Sequence, residues 1–324
     1  MRFALCYGDS NSSTEFCTKY PAYPAPEELT SPAKRSVTRL ITNADDFGLT
    51  FGVNQSILDL HQSKALSSAT LMAAASHTPA AAAIATLHPR LGVGCHVVLV
   101  DGNPVLPPEN LPGLVLPSGS FRPTLGTFAF DLARGNIPES EIEMEAIAQI
   151  RRLQALGVHV THVDTHKHTH MFARVLHPLL RAAALCGIPS IRNPFEPDWA
   201  LSATPHPPVV RSIQVRLLRT YRKNFLKLVE KAGLATPDGS IGVLATGTLN
   251  TPALQSLLKA MPPGTWELVC HPGYPDQQLS SIRTRLKESR QVEHIALQEV
   301  VPQYLRDHPE VSMIHFGQML ERYS

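Results

Sequence analysis

A tract of nine residues, 162–170, concentrates the side chains of this sequence that are best suited to chemistry. It reads His-Val-Asp-Thr-His-Lys-His-Thr-His, and it holds four of the 15 histidines of the chain together with Asp164. A neutral imidazole is the commonest protein ligand for metal ions, and it is also a general acid or base near neutral pH. The tract therefore indicates a metal site or an acid–base site, although a histidine-rich loop that binds metal only by accident has the same composition.

The elements that must position this tract alternate between strand and helix. Eight apolar or alternating segments are predicted strands, at residues 37–42, 68–75, 91–99, 158–163, 189–192, 240–246, 266–270 and 311–316. Segments with helical spacing are predicted at residues 53–66, 78–87, 140–156, 175–186, 207–234, 251–261, 281–286 and 292–308. Repeated βα units imply a parallel sheet with right-handed crossovers. Because so many units share one domain, we predict an α/β fold with a closed or nearly closed (β/α) barrel.

Residues suited to metal binding or proton transfer stand at four predicted strand ends. They are Asp45 and Asp46 after the first strand, His96 near the end of the third, Asp164 and His166 after the fourth, and His271 after the seventh. In a (β/α) barrel the carboxyl ends of the strands meet at one face. One aspartate and two imidazoles make a three-ligand set that leaves positions open for water and substrate. Two adjacent carboxylates can divide their roles, one binding a cation and the other acting as a general base.

Each of these residues also has an ordinary structural interpretation. Asp45 and Asp46 suit a turn or cap after a strand, His96 suits a hydrogen-bonded core position, and His271 precedes a Pro-Gly pair that is typical of a turn. The stretch 211–231 is rich in arginine and lysine. Its ordinary interpretation is a solvated helix face rather than a binding patch.

The composition narrows the class of protein. The chain has 324 residues, 43% of them hydrophobic and 17% charged, with a formal net charge of +2. These values are ordinary for a soluble globular protein and indicate no nucleic-acid partner. The five cysteines show neither disulfide spacing nor a Cys-x-x-Cys pair, which predicts a reducing, cytoplasmic location. No apolar run of about 18 residues predicts a transmembrane segment, and no glycine-rich phosphate-binding motif predicts a nucleotide site.

The first 36 residues differ from the remainder of the chain. They are rich in Ser, Pro, Thr and Tyr and lack the continuous apolar segment of a normal signal peptide. We therefore predict a disordered or loosely attached extension over residues 1–36 and one barrel domain over residues 37–324.

Four motifs together resemble the YdjC-like carbohydrate deacetylase family. They are Asn-Ala-Asp-Asp-Phe-Gly at 43–48, Gly-Cys-His at 94–96, the tract at 162–170 and Cys-His-Pro at 270–272. They occur in the family order, and the resemblance spans roughly residues 39–320. It implies a distorted TIM-like (β/α) barrel and a metal-dependent hydrolase that removes the acetyl group from an N-acetylated sugar.

The resemblance also implies a role for each site residue. It assigns the metal ligands to Asp46, His96 and His166, the general base to Asp45 and the general acid to His271. The cofactor it implies is one divalent metal ion, Mg²⁺, although two histidines and a carboxylate also suit Zn²⁺ or another transition metal.

Three further residues of the tract are expected to support the metal ligands. Asp164 is expected to orient His166 as a hydrogen-bonded carboxylate. His168 and His170 are expected to lie behind the ligands or to be structural.

The resemblance leaves the substrate open between two classes. Chitooligosaccharides are one, and an N-acetylglucosaminyl lipid of the hopanoid-biosynthesis-associated branch is the other. Residues 105–112 and 119–121 look more like the second branch. Two alternatives use the same residues: another metal-dependent barrel hydrolase such as a phosphoesterase, and a non-catalytic metal- or sugar-binding relative. The association state is also open, and a homodimer is one of the alternatives.

Overall fold

The strands of the protein form one parallel sheet. The computed structural model describes residues 38–207 and 209–320, so the predicted extension at residues 1–36 lies outside the described residues. Within those ranges the strands are β1 (Thr38–Phe47), β2 (Ser68–Leu71), β3 (Gly92–Val97), β4 (Val160–Thr165), β5 (Gly239–Ile241), β6 (Gly264–Cys270) and β7 (Val311–Met313). The strand order is β4-β3-β2-β1-β6-β5, and β7 pairs with the first residues of β1.

The sheet curls until its two edges approach each other. Beyond β4, the segment 190–195 forms a parallel bridge from Ile191 to Val163 and another from Ser190 to Ala235. The Phe195 carbonyl then accepts a hydrogen bond from Ser240 N in β5 at 3.4 Å. This segment was predicted as a strand, but it makes only single bridges. The predicted distorted (β/α) barrel is therefore confirmed, with an irregular seam between β4 and β5.

Helices cover the outside of the sheet. They are α1 (Phe51–Gln62), α2 (Thr78–Leu87), α3 (Leu125–Ala133), α4 (Glu139–Ala155), α5 (Ala173–Leu185), α6 (Asp198–Ala203), α7 (Val209–Leu218), α8 (Arg222–Ala232), α9 (Thr251–Lys259), α10 (Gln277–Ser281) and α11 (Glu288–Asp307). Helix α1 shows why these segments are helical. The Thr50 hydroxyl accepts a hydrogen bond from Val53 N at its start, and Val53, Ile57 and Leu60 are buried on one side. No helix in the described ranges is long and apolar enough to cross a membrane.

Two predicted helices differ from the structure. The single helix predicted over 207–234 is divided into α7 and α8 by a 3₁₀ turn at Arg219–Tyr221. The helix predicted over 281–286 is wrong. The helical residues there end at Ser281, because α10 begins earlier, where Asp276 Oδ1 accepts a hydrogen bond from Leu279 N at 2.6 Å.

Candidate active site

The aspartate pair lies inside β1 rather than after it. The register of β1 against β2 shifts between Ala44 and Phe47, and Asp46 has a left-handed φ of 64°. Successive side chains of a regular strand point to opposite faces, whereas a bulge redirects one of them. Asp45 and Asp46 consequently both reach the carboxyl end of the barrel, although the prediction that they follow the strand is wrong.

Three ligand-type atoms from β1, β3 and the end of β4 converge there. Asp46 Oδ1 lies 3.6 Å from His96 Nε2 and 3.4 Å from His166 Nδ1, and the two ring nitrogens are 3.2 Å apart. Asp46 Oδ1 is buried and has no hydrogen-bond partner among the described residues. A buried carboxylate oxygen left in this state is costly unless a cation compensates it. One carboxylate oxygen and two imidazole nitrogens fit a divalent metal ion and leave coordination positions open.

The register between β3 and β4 fixes the orientation of His96. His96 pairs with Asp164 across the two strands, and its Nδ1 lies 2.8 Å from Asp164 Oδ1. A hydrogen bond at Nδ1 leaves Nε2 directed at Asp46. The expectation that Asp164 orients His166 is therefore wrong, because the strand register places this carboxylate beside His96.

His166 begins a 3₁₀ turn that folds the tract back on the barrel. Lys167 and His168 follow it with left-handed φ values of 57° and 52°. Lys167 Nζ pairs with Asp101 Oδ2 at 2.6 Å, which ties the turn to the loop after β3. Non-glycine residues in this region cost free energy, and such strain is often found at functional sites.

His168 and His170, which also belong to the tract, lie in different surroundings. His170 is fully buried, and its Nδ1 lies 2.7 Å from the Thr165 hydroxyl. Burial lowers the pKa of His170 to about 3, so the ring is neutral. His168 is partly buried, its Nδ1 has no partner in the described part of the chain, and burial holds its pKa well below the usual range.

Asp45 belongs to a buried charge network around Arg192. The guanidinium donates to Asp45 Oδ1 at 2.6 Å and Oδ2 at 3.0 Å, to Glu267 Oε1 at 2.8 Å and to Asp164 Oδ2. The Thr70 hydroxyl donates to Asp45 Oδ1 at 3.1 Å. Burial alone would raise the pKa of Asp45, but Arg192 and the nearby histidines outweigh it and hold the pKa well below its usual range. Asp45 is therefore ionised at neutral pH.

His271 follows β6 and faces the same carboxylate. Its Nε2 lies 3.7 Å from Asp45 Oδ2, and its Nδ1 lies 3.9 Å from Glu293 Oε2. Glu293 also accepts a hydrogen bond from His271 N at 2.6 Å, which fixes the backbone of this residue. Burial lowers the pKa of His271 to about 4, against the opposing effect of Asp45 and Asp46, so the ring is neutral at pH 7.

Comparison with known proteins agrees with this geometry. A family model described as YdjC-like protein matches residues 39–306. The chain belongs to the YdjC-like family. Among its relatives, a protein of Thermoanaerobacter pseudethanolicus named carbohydrate deacetylase is 29% identical over 83% of this chain and 94% of its own length. Another of that name, from Geobacillus stearothermophilus, is 32% identical over 74% of this chain and 82% of its own.

A solved structure shares the fold of this YdjC-like protein. It is an Enterococcus faecalis protein provisionally named for cellobiose-phosphate cleavage, and it superposes with a TM-score of 0.71 at 24% identity. The superposition covers 88% of this chain and 99% of that one. At this identity the similarity shows the fold alone.

The sequence prediction missed the two arginines that hold the aspartates of this YdjC-like site. Arg192 ends a predicted strand beside β4, so its position at a strand end was a usable signal. Arg290 lies on α11 and donates to Asp46 Oδ2 at 2.5 Å, and no strand-end signal marks it. The predicted residues Asp45, Asp46 and His271 do lie together at the carboxyl end of the barrel.

Replacing Arg192 with methionine is expected to destabilise the protein by about 3–5 kcal/mol, because three buried carboxylates would lose their common counter-ion. Urea unfolding followed by circular dichroism measures the effect. Arg181→Met is the matched control, since Arg181 pairs with Glu143 at the surface. This substitution should lower the free energy of unfolding by less than about 1 kcal/mol. Equal stability of the two variants would contradict the inferred role of the network.

Proposed function

We propose that this YdjC-like protein is a metal-dependent carbohydrate deacetylase. It hydrolyses the acetamide of an N-acetylated sugar to acetate and the free amine. The observation that carries the proposal is the buried Asp46 Oδ1, which has no hydrogen-bond partner among the described residues. It faces two imidazole nitrogens beside a separate carboxylate–histidine pair. The names of the relatives support the same reaction, including a Salmonella typhimurium chitooligosaccharide deacetylase that is 34% identical over 54% of this chain and 66% of its own length.

Asp46, His96 and His166 hold the metal ion in this proposal. When bound, a divalent ion supplies Lewis-acid polarisation of the acetyl carbonyl and lowers the pKa of a water molecule. Family resemblance favours Mg²⁺, whereas two imidazole donors suit Zn²⁺ or another transition metal better than a cation that prefers oxygen. Arg290 holds the second oxygen of Asp46 and so keeps Oδ1 directed at the two histidines.

Asp45 and His271 move the protons. Asp45 Oδ2 accepts a proton from the attacking water as the new carbon–oxygen bond forms at the acetyl carbonyl. The proton passes to His271 Nε2, which lies 3.7 Å from that oxygen. The resulting imidazolium protonates the amine nitrogen as the carbon–nitrogen bond breaks. Arg192 keeps Asp45 in place throughout, because it binds both carboxylate oxygens.

The substrate is an N-acetylglucosamine-type oligosaccharide or glycolipid in this proposal. We place the reaction in the cytoplasm, because the described cysteines Cys95, Cys186 and Cys270 are buried free thiols, as in proteins of reducing compartments.

Acetate release from N-acetylglucosamine oligomers and from an N-acetylglucosaminyl lipid tests the reaction. Removing metal with a chelator is expected to lower the rate at least about 100-fold, because the polarising charge is lost. Adding back Mg²⁺, Zn²⁺, Mn²⁺ or Co²⁺ singly, with elemental analysis, identifies the ion that restores it. Hydrolysis of phosphate esters without acetate release would favour a phosphoesterase instead. Bound metal with no hydrolysis of any substrate would favour a binding protein.

A further inference from the structure

The segment formed by α7, the 3₁₀ turn and the start of α8 exposes an apolar row. Ile213, Leu217 and Tyr221 follow one another at intervals of four residues, so they share one side of the helical segment. Their side chains are 62%, 66% and 45% exposed. A merely solvated helix face, as predicted from the composition of residues 211–231, does not account for this row. Contiguous exposed apolar side chains are typical of a binding surface.

Other residues of the same segment anchor it to the remainder of the protein. Phe225 and Val229 of α8 are buried. Arg211 Nη2 donates to the Val243 carbonyl at 2.7 Å, and Arg219 Nη2 pairs with Asp198 Oδ2 at 2.7 Å. Ile213 and Leu217 are therefore exposed on a segment that is held in place by the neighbouring residues.

Positive charge flanks the apolar row. Residues 211–229 contain six arginine or lysine side chains and no aspartate or glutamate. Arg216, Lys223 and Lys227 are exposed. Their spacings of seven and four residues place them on a common side, next to the apolar row. Asp198, an acidic residue that contacts this segment, is bound by Arg219.

We propose that this docking surface, Ile213, Leu217 and Tyr221 with Arg216, Lys223 and Lys227, binds the protein to an anionic lipid bilayer. An in-plane helix of this kind buries its apolar row at the boundary between headgroups and acyl chains. Long cationic side chains beside the row extend to the lipid phosphates. This inference does not rest on the proposed function.

Two other occupants fit the surface less well. A second copy that used the same surface in a symmetric dimer would bring the three cations of each copy close together, which is unfavourable. A nucleic acid would neutralise the cations through its phosphates, but it would leave Ile213 and Leu217 without an apolar partner. An anionic bilayer would pair the cations with lipid phosphates and bury the apolar row among the acyl chains.

The docking surface adjoins the histidine tract. The Tyr221 ring packs edge-on against Phe172 at 6.4 Å between centroids, and the His170 ring lies 6.1 Å from that of Phe225. The tract that supplies His166 therefore contacts the same helices. A bilayer bound at this surface would lie beside the rim of the active site.

Sedimentation of the full-length chain with sucrose-loaded vesicles tests the proposal. Vesicles of phosphatidylcholine containing phosphatidylglycerol are expected to bind the protein at least about tenfold more strongly than phosphatidylcholine alone. High salt should remove most of that difference, because surface charges are screened. Equal binding to both vesicle types, or binding to neither, would overturn the proposal.

The double variant Ile213→Ser with Leu217→Ser tests the apolar row. It is expected to bind anionic vesicles at least about tenfold more weakly, because two inserted side chains are lost. Leu87→Ser with Leu185→Ser is the matched control, since these leucines are 76% and 62% exposed on other helices. Identical binding by the two double variants would contradict an apolar contribution.

A triple glutamine variant tests the charges independently of the apolar row. It replaces Arg216, Lys223 and Lys227, and its control replaces the exposed cations Lys64, Arg90 and Lys259. The variant is expected to bind anionic vesicles about 100-fold more weakly, because each cation near the lipid strengthens binding by about tenfold or less. The control is expected to bind almost normally, because its three cations lie outside the docking surface. Thermal unfolding followed by circular dichroism confirms that each variant is folded. A dimer that dissociates in the Ile213/Leu217 variant, or RNA binding without vesicle binding, would assign the surface to another partner and overturn the proposal.

Discussion

Replacing His166 with alanine is expected to lower acetate release by about three orders of magnitude, or roughly 4 kcal/mol of transition-state stabilisation. His166 Nδ1 faces Asp46 Oδ1 and His96 Nε2 at 3.4 and 3.2 Å, so its loss removes one of the three proposed metal ligands. The side chain lies partly exposed at the rim of the site. The fold should therefore tolerate its removal. Elemental analysis after dialysis should find little bound metal.

His159→Ala is the matched control for this variant. His159 is an exposed imidazole that immediately precedes β4, so the control loses a histidine without losing a proposed ligand. It should keep both metal and activity. Metal bound by the His166 variant as tightly as by the unaltered protein would refute the ligand assignment. That result would not bear on the proposed deacetylase reaction, which acetate release tests separately.

Replacing Asp45 with asparagine is expected to lower kcat by about 10²- to 10⁴-fold, the usual contribution of a general base. The amide keeps the shape of the carboxylate but accepts a proton far less readily. Asp45 is not one of the three proposed ligands, and Arg192 binds both of its oxygens, so metal content should stay unchanged. Initial rates at saturating metal, together with elemental analysis, measure both quantities. KM should change little, because the proton transfer is made only in the transition state.

Asp198→Asn is the comparison for the Asp45 variant. Asp198 is another aspartate paired with an arginine, Arg219, but its side chain is largely exposed, so the control should be fully active. Urea unfolding of the Asp45 variant separates a catalytic role from an anchoring one, because Arg192 retains Asp164 and Glu267 as partners. Near-normal kcat with metal bound would show that Asp45 only anchors Arg192.

The order of strands and helices was accessible from the sequence because periodicity is a local property. The helix predicted at 78–87 coincides with α2 (Thr78–Leu87). The errors arise where tertiary contacts end an element. The strand predicted over 240–246 stops at Ile241, where Gly242 turns with a φ of 85° and Glu196 accepts hydrogen bonds from Gly242 N and Leu244 N.

The location of the site was also accessible from the sequence. Parallel strands bring their carboxyl ends to one face whatever their exact boundaries. Residues at the ends of β1, β3 and β4 could therefore be expected to meet before any distance was known. The convergence of Asp46, His96 and His166 follows from this topology.

Only the tertiary structure decided how the charges pair. Arg192 reaches Asp45 across 147 residues of sequence, and Arg290 reaches Asp46 across 244. The register of β3 against β4 places Asp164 beside His96. The outward direction of Ile213 and Leu217 likewise depends on which side of α7 the barrel covers. Residue type and spacing specify which groups are able to react. Their partners and exposure depend on strand register, side-chain reach and burial, which no local pattern in the sequence encodes.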